Sequence, residues 1–189
     1  VIAGKYRGQR LVSPKNVATR PTADRVRQAL FDVLSVMLAD AVVLDLYAGT
    51  GALGIEALSR GAAHAVLVEE DALALQAIRA NLEKLGLLRT SSVLALQVER
   101  SKKRLEEKAP FDLVLCDPPW DMAEHVASSV LGKLLGARPS AEGRASLLNA
   151  GARVVLEHSA RKPIDRIGGL ELQLIDQRNW GDTAISIFA

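Results

Sequence analysis

The sequence predicts an α/β protein: a mostly parallel sheet with helices on both faces and an antiparallel pair at one edge. Two observations carry this. Short apolar runs at 42–46, 65–69, 93–98, 111–116 and 152–157 alternate with segments of helical periodicity. Strands apolar along nearly their whole length need cover on both faces, which βαβ crossovers supply. The last two runs, 170–175 and 184–188, have no helix pattern between them, as an antiparallel pair requires.

Composition narrows the class. At 49% hydrophobic and 24% charged residues, the 189-residue chain has the make-up of a globular protein with a sizeable core. No apolar run reaches the roughly 18–20 residues of a membrane span, and no secretory apolar region is expected at the amino end. The single cysteine, Cys116, excludes an internal disulfide framework and fits a reducing, cytoplasmic setting. It ends an apolar run, which makes it a core thiol rather than a nucleophile. His64, His125 and His158 lack metal-ligand spacing, so no metal is expected.

Residues 1–20 contain Lys5, Arg7, Arg10, Lys15 and Arg20 and no acid. Val1–Gly4 and Arg10–Val12 predict two short strands around a Lys-Tyr-Arg-Gly turn, a basic hairpin arm suited to phosphates. The rest, 21–189, is expected to be one globular domain. It opens with a helix over 21–34, with Thr22 as its cap and Asp24 in its first turn. Val26, Leu30, Val33, Leu34 and Met37 form its buried stripe, and Arg25 and Arg27 lie off it.

Val42–Leu46 runs into a two-glycine turn and a helix over 55–60 ended by Gly61, a first βα unit. The run at 65–69 ends in Glu69. Asp71 then caps a helix with Leu75, Ile78, Leu82 and Leu85 on its apolar face, stopped by Gly86. Residues 99–108 predict a charged helix, 122–135 a longer one, and 136–143 a linker.

Gly49, Gly51 and Gly54 satisfy G-x-G-x-x-G, so the loop suits a dinucleotide or another nucleotide-like ligand. Asp45, four residues before Gly49, argues against a pyrophosphate, which it would repel. It suits S-adenosylmethionine, which carries an ammonium and a sulfonium. Glu69 could accept from the ribose hydroxyls of either ligand. Asp117-Pro118-Pro119-Trp120, after the fourth strand, decides between them. Two prolines remove donors and leave carbonyl acceptors for an exocyclic amino group, and Trp120 offers a face for a base.

With these motifs in place, the chain resembles class I methyltransferases. More narrowly it resembles the RsmD family, which methylates the exocyclic N2 of a guanine in small-subunit ribosomal RNA. The resemblance rests on Ile2-Ala3-Gly4-Lys5-Tyr6-Arg7-Gly8 with 20–27, on the 45–54 loop, on Glu69, on Asp117–Trp120 and on Trp180-Gly181-Asp182-Thr183. It implies S-adenosylmethionine held by Thr22, Asp45, Tyr47, Gly49, Thr50, Gly51, Glu69, Val98, Glu99 and Asp117. It implies catalysis by Asp117, Pro118, Pro119 and Trp120, and RNA contacts by Lys5, Arg7, Arg10, Arg20, Arg25 and Arg27. The implied partner is ribosomal RNA, within an assembling small subunit, for a monomeric cytoplasmic enzyme with no metal. Three departures stand out: Gln97-Val98-Glu99-Arg100 where the family often has an acidic adenine-contacting turn, Trp120 for a Tyr or Phe, and Trp180 for a Tyr. A DNA adenine-N6 methyltransferase shares the donor loop and tetrad, but needs added mass to read a DNA sequence. An NAD-binding oxidoreductase is opposed by Asp45, and a protein glutamine methyltransferase by Asp117 where Asn is usual.

Overall fold

The computed structural model describes residues 1–14, 21–136 and 147–189, without the side chains of residues 21–23. The linker predicted at 136–143 lies outside this set after Gly136. The chain divides into two compact units, Val1–Val98 and Glu99–Ala189.

In the first unit, β1 (Val42–Leu46), β2 (His64–Glu69) and β3 (Ser91–Ala95) are parallel in the order β3-β2-β1. Four of the five β1 residues and four of the six in β2 are buried, as the apolar runs require. Of the helices α1 (Pro21–Leu34), α2 (Ala52–Ser59) and α3 (Ala72–Lys84), α3 buries its whole expected stripe. Helix α1 buries Val26, Leu30 and Leu34 with Phe31, whereas Val33 and Met37 are half-buried. It begins at Pro21, which places Thr22 inside the helix and not at its cap, and α2 begins three residues before the expected 55. Asp71 caps α3 by accepting from the Ala74 N–H at 2.8 Å. β3 ends at Ala95, short of the predicted 98, and Val98–Arg100 is a 3-10 turn instead.

The predicted hairpin arm is not one. Among residues 1–14 there is no strand, only a 3-10 turn over Gly4–Tyr6. The reason is where the backbone groups go. Glu56, fully buried on α2, accepts from the Ile2 and Ala3 N–H groups at 2.7 and 3.0 Å, and Ser59 accepts from Tyr6 at 3.0 Å. Side chains of α2 thus take the hydrogen bonds that a partner strand would have supplied. Gly4 has φ +76, and a Cβ there would stand 1.8 Å from the Ser59 carbonyl oxygen. Only glycine allows this approach.

In the second unit, β4 (Phe111–Cys116) and β5 (Leu148–Ser159) are parallel, with Cys116 opposite Leu156. β7 (Thr183–Phe188) is antiparallel to β5, and β6 (Leu174–Trp180) is antiparallel to β7, giving the order β4-β5-β7-β6. The expected antiparallel edge is present, but β6 begins later than the predicted 170–175 run. Its Asp176, Gln177, Arg178 and Asn179 suit an edge strand with a solvent face and hide it from a search for apolar runs. The predicted 99–108 helix shrinks to α4 (Lys102–Glu106). The predicted 122–135 helix appears as α5 (Ala123–His125), a π turn over Val126–Val130, and α6 (Leu131–Leu135). The Ala127 carbonyl in that wider turn accepts from the Gly168 N–H at 2.9 Å.

Candidate functional site

The glycine loop sits between the carboxyl end of β1 and the first turn of α2. Tyr47 has φ 58, an uncommon conformation for a residue with a side chain, and Gly49 and Gly51 have φ 56 and 77. A Cβ on Gly49 would have nothing within 4 Å, so the loop backbone there borders open space. Glu69, at the end of β2, fixes this loop from beside it. Its Oε2 accepts from the Gly49 N–H at 2.8 Å, and its Oε1 accepts from the Glu70 and Asp71 N–H groups at 2.8 and 2.9 Å. A carboxylate has about four lone-pair sites, so Glu69 keeps acceptor capacity for a ligand hydroxyl.

Asp45 is buried, and its Oδ2 accepts from the Gly54 N–H at 2.8 Å. It therefore holds the start of α2, where the helix dipole favours an acid. A Cβ on Gly54 would press on that same oxygen at 3.0 Å, so this glycine admits the acid rather than a ligand. Thr50 is tied from a third direction, its carbonyl accepting from the Asn81 side chain at 3.0 Å. Val98 is buried and Glu99 is exposed.

In the second unit, Asp117-Pro118-Pro119-Trp120 follows β4 directly. Pro118 is buried, while Pro119 and Trp120 are exposed, Trp120 at 38%. Asp117 is open to solvent on one side yet surrounded by protein on the others, and this desolvation pushes its carboxyl up to about 6. The pairing of Cys116 with Leu156 sets Asp117 beside Glu157, on neighbouring strands about 4.8 Å apart. Burial, and then the charge of Asp117, push Glu157 up to about 8. Two carboxyls this close, both partly desolvated, titrate as a pair. Glu157 is absent from the residues expected from sequence. The available signal is an acid closing an apolar strand, the same signal that singles out Asp45 and Glu69.

Lys5, Arg7 and Arg10 are exposed on the arm, with the Lys5 ammonium 5.4 Å from the centre of the Tyr6 ring. Arg25 is exposed on α1. Arg27 differs: its side chain is only 17% exposed and pairs with Asp24 at 2.8 Å. Lys15, Arg20 and the Thr22 side chain lie outside the described residues. Cys116 is buried, and His158 bonds Ser186 Oγ at 2.9 Å in the interior. Among the described residues no three His, Cys, Asp or Glu side chains are grouped to hold a metal, and no helix is long and apolar enough to cross a membrane.

The fold is that of class I methyltransferases. A solved structure described as "Putative methyltransferase yhhF from Escherichia coli" matches with a TM-score of 0.76 and 30% identity, over 100% of this chain and 95% of that one. The family model Conserved hypothetical protein 95 matches residues 1–189, and the chain belongs to that family, the RsmD family. Ribosomal RNA small subunit methyltransferase D of Escherichia coli (strain K12) is 38% identical over 120 residues, 64% of this chain and 59% of that protein. The protein of the same name from Haemophilus influenzae is 35% identical over 134 residues, 68% of each chain. The alignment therefore spans somewhat under two thirds of the Escherichia coli relative.

Proposed function

We propose that this chain transfers a methyl group from S-adenosylmethionine to the exocyclic N2 of a guanine in small-subunit ribosomal RNA. The observation that carries the reading is the acceptor-rich turn Asp117–Trp120, with Asp117, Pro119 and Trp120 exposed around a buried Pro118, in a chain of this family. The names of the relatives support ribosomal RNA as the substrate.

The glycine loop fits the donor, with open space at Gly49 and a ribose acceptor in Glu69. In this reading Tyr47, Gly49, Thr50, Gly51 and Glu69 line the donor and Asp45 holds the loop onto α2; Thr22, Val98, Glu99 and Asp117 are the further donor contacts that the family resemblance implies. S-adenosylmethionine supplies an electrophilic methyl group when bound. The protein's part is orientation. The Asp117 carboxylate accepts from one amino N–H and the Pro118 carbonyl from the other, which turns the nitrogen lone pair out of conjugation. Pro119 stiffens the turn, and Trp120 stacks on the base once it is flipped out. The nitrogen pair forms the new N–C bond, the C–S bonding pair returns to sulfur, and the N–H proton passes to Asp117. Lys5, Arg7, Arg10, Arg20, Arg25 and Arg27 neutralise phosphates, giving salt-dependent binding. The setting is a monomer acting in the cytoplasm on an assembling small subunit.

The test is transfer of labelled methyl from S-adenosylmethionine to ribosomal RNA, small-subunit particles, DNA and protein in parallel. Label on guanine N2 of the RNA or particle is expected. Label confined to adenine in DNA would replace this reading with the DNA-methylating one.

A further inference from the structure

The arm and the glycine loop meet in one side chain. Asn81, on α3, is fully buried. Its Oδ1 accepts from the Val12 N–H at 2.6 Å, and its Nδ2 donates to the Val12 carbonyl and to the Thr50 carbonyl, both at 3.0 Å. The amide thus treats Val12 as a neighbouring strand would, using both backbone groups, and pins the glycine loop with the hydrogen left over. One turn along α3, Lys84 donates to the Arg10 carbonyl at 2.8 Å. The side chains of Arg10 and Val12 are exposed, and these two residues are held through their backbone groups.

We propose that Asn81 is a positioning residue that couples the basic arm to the donor loop, so that binding of methyl donor and of RNA reinforce each other. The inference rests on the reading of the glycine loop as the donor site. Its physical basis is that a buried amide cannot leave its groups unpaired cheaply. With the Thr50 carbonyl fixed, the amide plane is set, and Oδ1 and the second hydrogen point where Val12 docks. With the loop loose, that plane is free to turn and the arm loses its mount. Donor that orders the loop therefore favours the docked arm, which presents Arg10 and Arg7 outward. By linkage, RNA that holds the docked arm raises donor affinity by the same factor.

The experiment uses the wild-type chain first. Amide hydrogen exchange at Val12 is expected to slow about five- to tenfold when S-adenosylmethionine is added, a typical size for coupling between sites. Donor affinity should rise when a ribosomal RNA fragment is present, by the factor by which donor raises RNA affinity. In Asn81→Ala that RNA dependence should fall to none. In Lys84→Ala, which releases Arg10 and leaves the amide in place, it should persist. Unchanged Val12 exchange with donor bound would overturn the coupling, and needs no variant to fold. Loss of coupling in Lys84→Ala as well would overturn the assignment to Asn81. A wild-type chain that binds no S-adenosylmethionine would instead remove the donor reading and the coupling with it.

Discussion

The two units treat their acids in opposite ways. In the first, Asp45, Glu56 and Glu69 all receive backbone N–H groups: Gly54 for Asp45, Ile2 and Ala3 for Glu56, and Gly49, Glu70 and Asp71 for Glu69. These carboxylates are built into the scaffold, holding a helix start, an arm and a loop. In the second unit, Asp117 and Glu157 stand side by side with no such donors among the described residues, and burial pushes both toward their neutral forms. A carboxylate held by backbone donors is tied into the scaffold, whereas one left to desolvation is poised to gain or lose a proton near neutral pH. The difference sets acids tied into the scaffold apart from an acid pair left to desolvation.

The sharpest way to break this contrast is at Asp117. Asp117→Ala should lower methyl transfer about 10²–10⁴-fold, the range for removing a positioned proton acceptor, without lowering thermal stability. Near wild-type turnover would remove Asp117 from the chemistry. In the first unit the expected result is the reverse. Glu56→Ala leaves two arm N–H groups without their acceptor, and Arg60, which pairs with Glu56 at 2.8 Å, with only Asp32 and Gln28 as partners. That should cost about 3 kcal/mol, read as a lowered denaturation midpoint and as early proteolysis within residues 1–14.

The carboxyl pair gives a pH test. Both folded-state values lie above the ordinary carboxylate range, so the folded chain holds protons that the unfolded chain has released. The contribution of this pair to stability is then greatest in acid and is lost as pH rises through about 6 for Asp117 and about 8 for Glu157. Glu157→Gln should abolish the upper step and melt a few degrees higher than wild type at pH 9, with little difference at pH 5. Parallel melting curves for the two proteins across that range would show that Glu157 is not the desolvated acid described here. The smallest effect is expected on the arm surface. Replacing Arg7 and Arg10 together by Ala should leave folding unchanged and reduce the salt slope of RNA binding by about 2, one for each phosphate no longer neutralised. An unaltered slope would separate the arm from RNA binding.

Much of this is legible in the residues, and what is not has a common cause. Phe111–Cys116 and Val42–Leu46 have their observed boundaries in the apolar pattern because buried parallel strands are apolar on both faces. β6 is misplaced by that pattern because its polar residues reflect an edge position, which is a property of the sheet rather than of the segment. The arm carries the local turn signal of a hairpin. Its backbone instead bonds Glu56 and Ser59, more than fifty positions away, and no local pattern announces such partners.

By itself the sequence determined the alternation of strands and helices, the glycine loop after Asp45 and the Asp-Pro-Pro-Trp turn after the fourth strand. Each depends on periodicity or backbone restriction within a dozen residues. Tertiary structure decided what the polar groups do. It gave Glu69 to the Gly49 N–H of the loop, set Glu157 beside Asp117, and brought Val12 and Thr50, 69 and 31 positions from Asn81, to one amide. The burial of an apolar strand follows from its hydropathy, but a hydrogen bond needs a partner, and only packing chooses the partner.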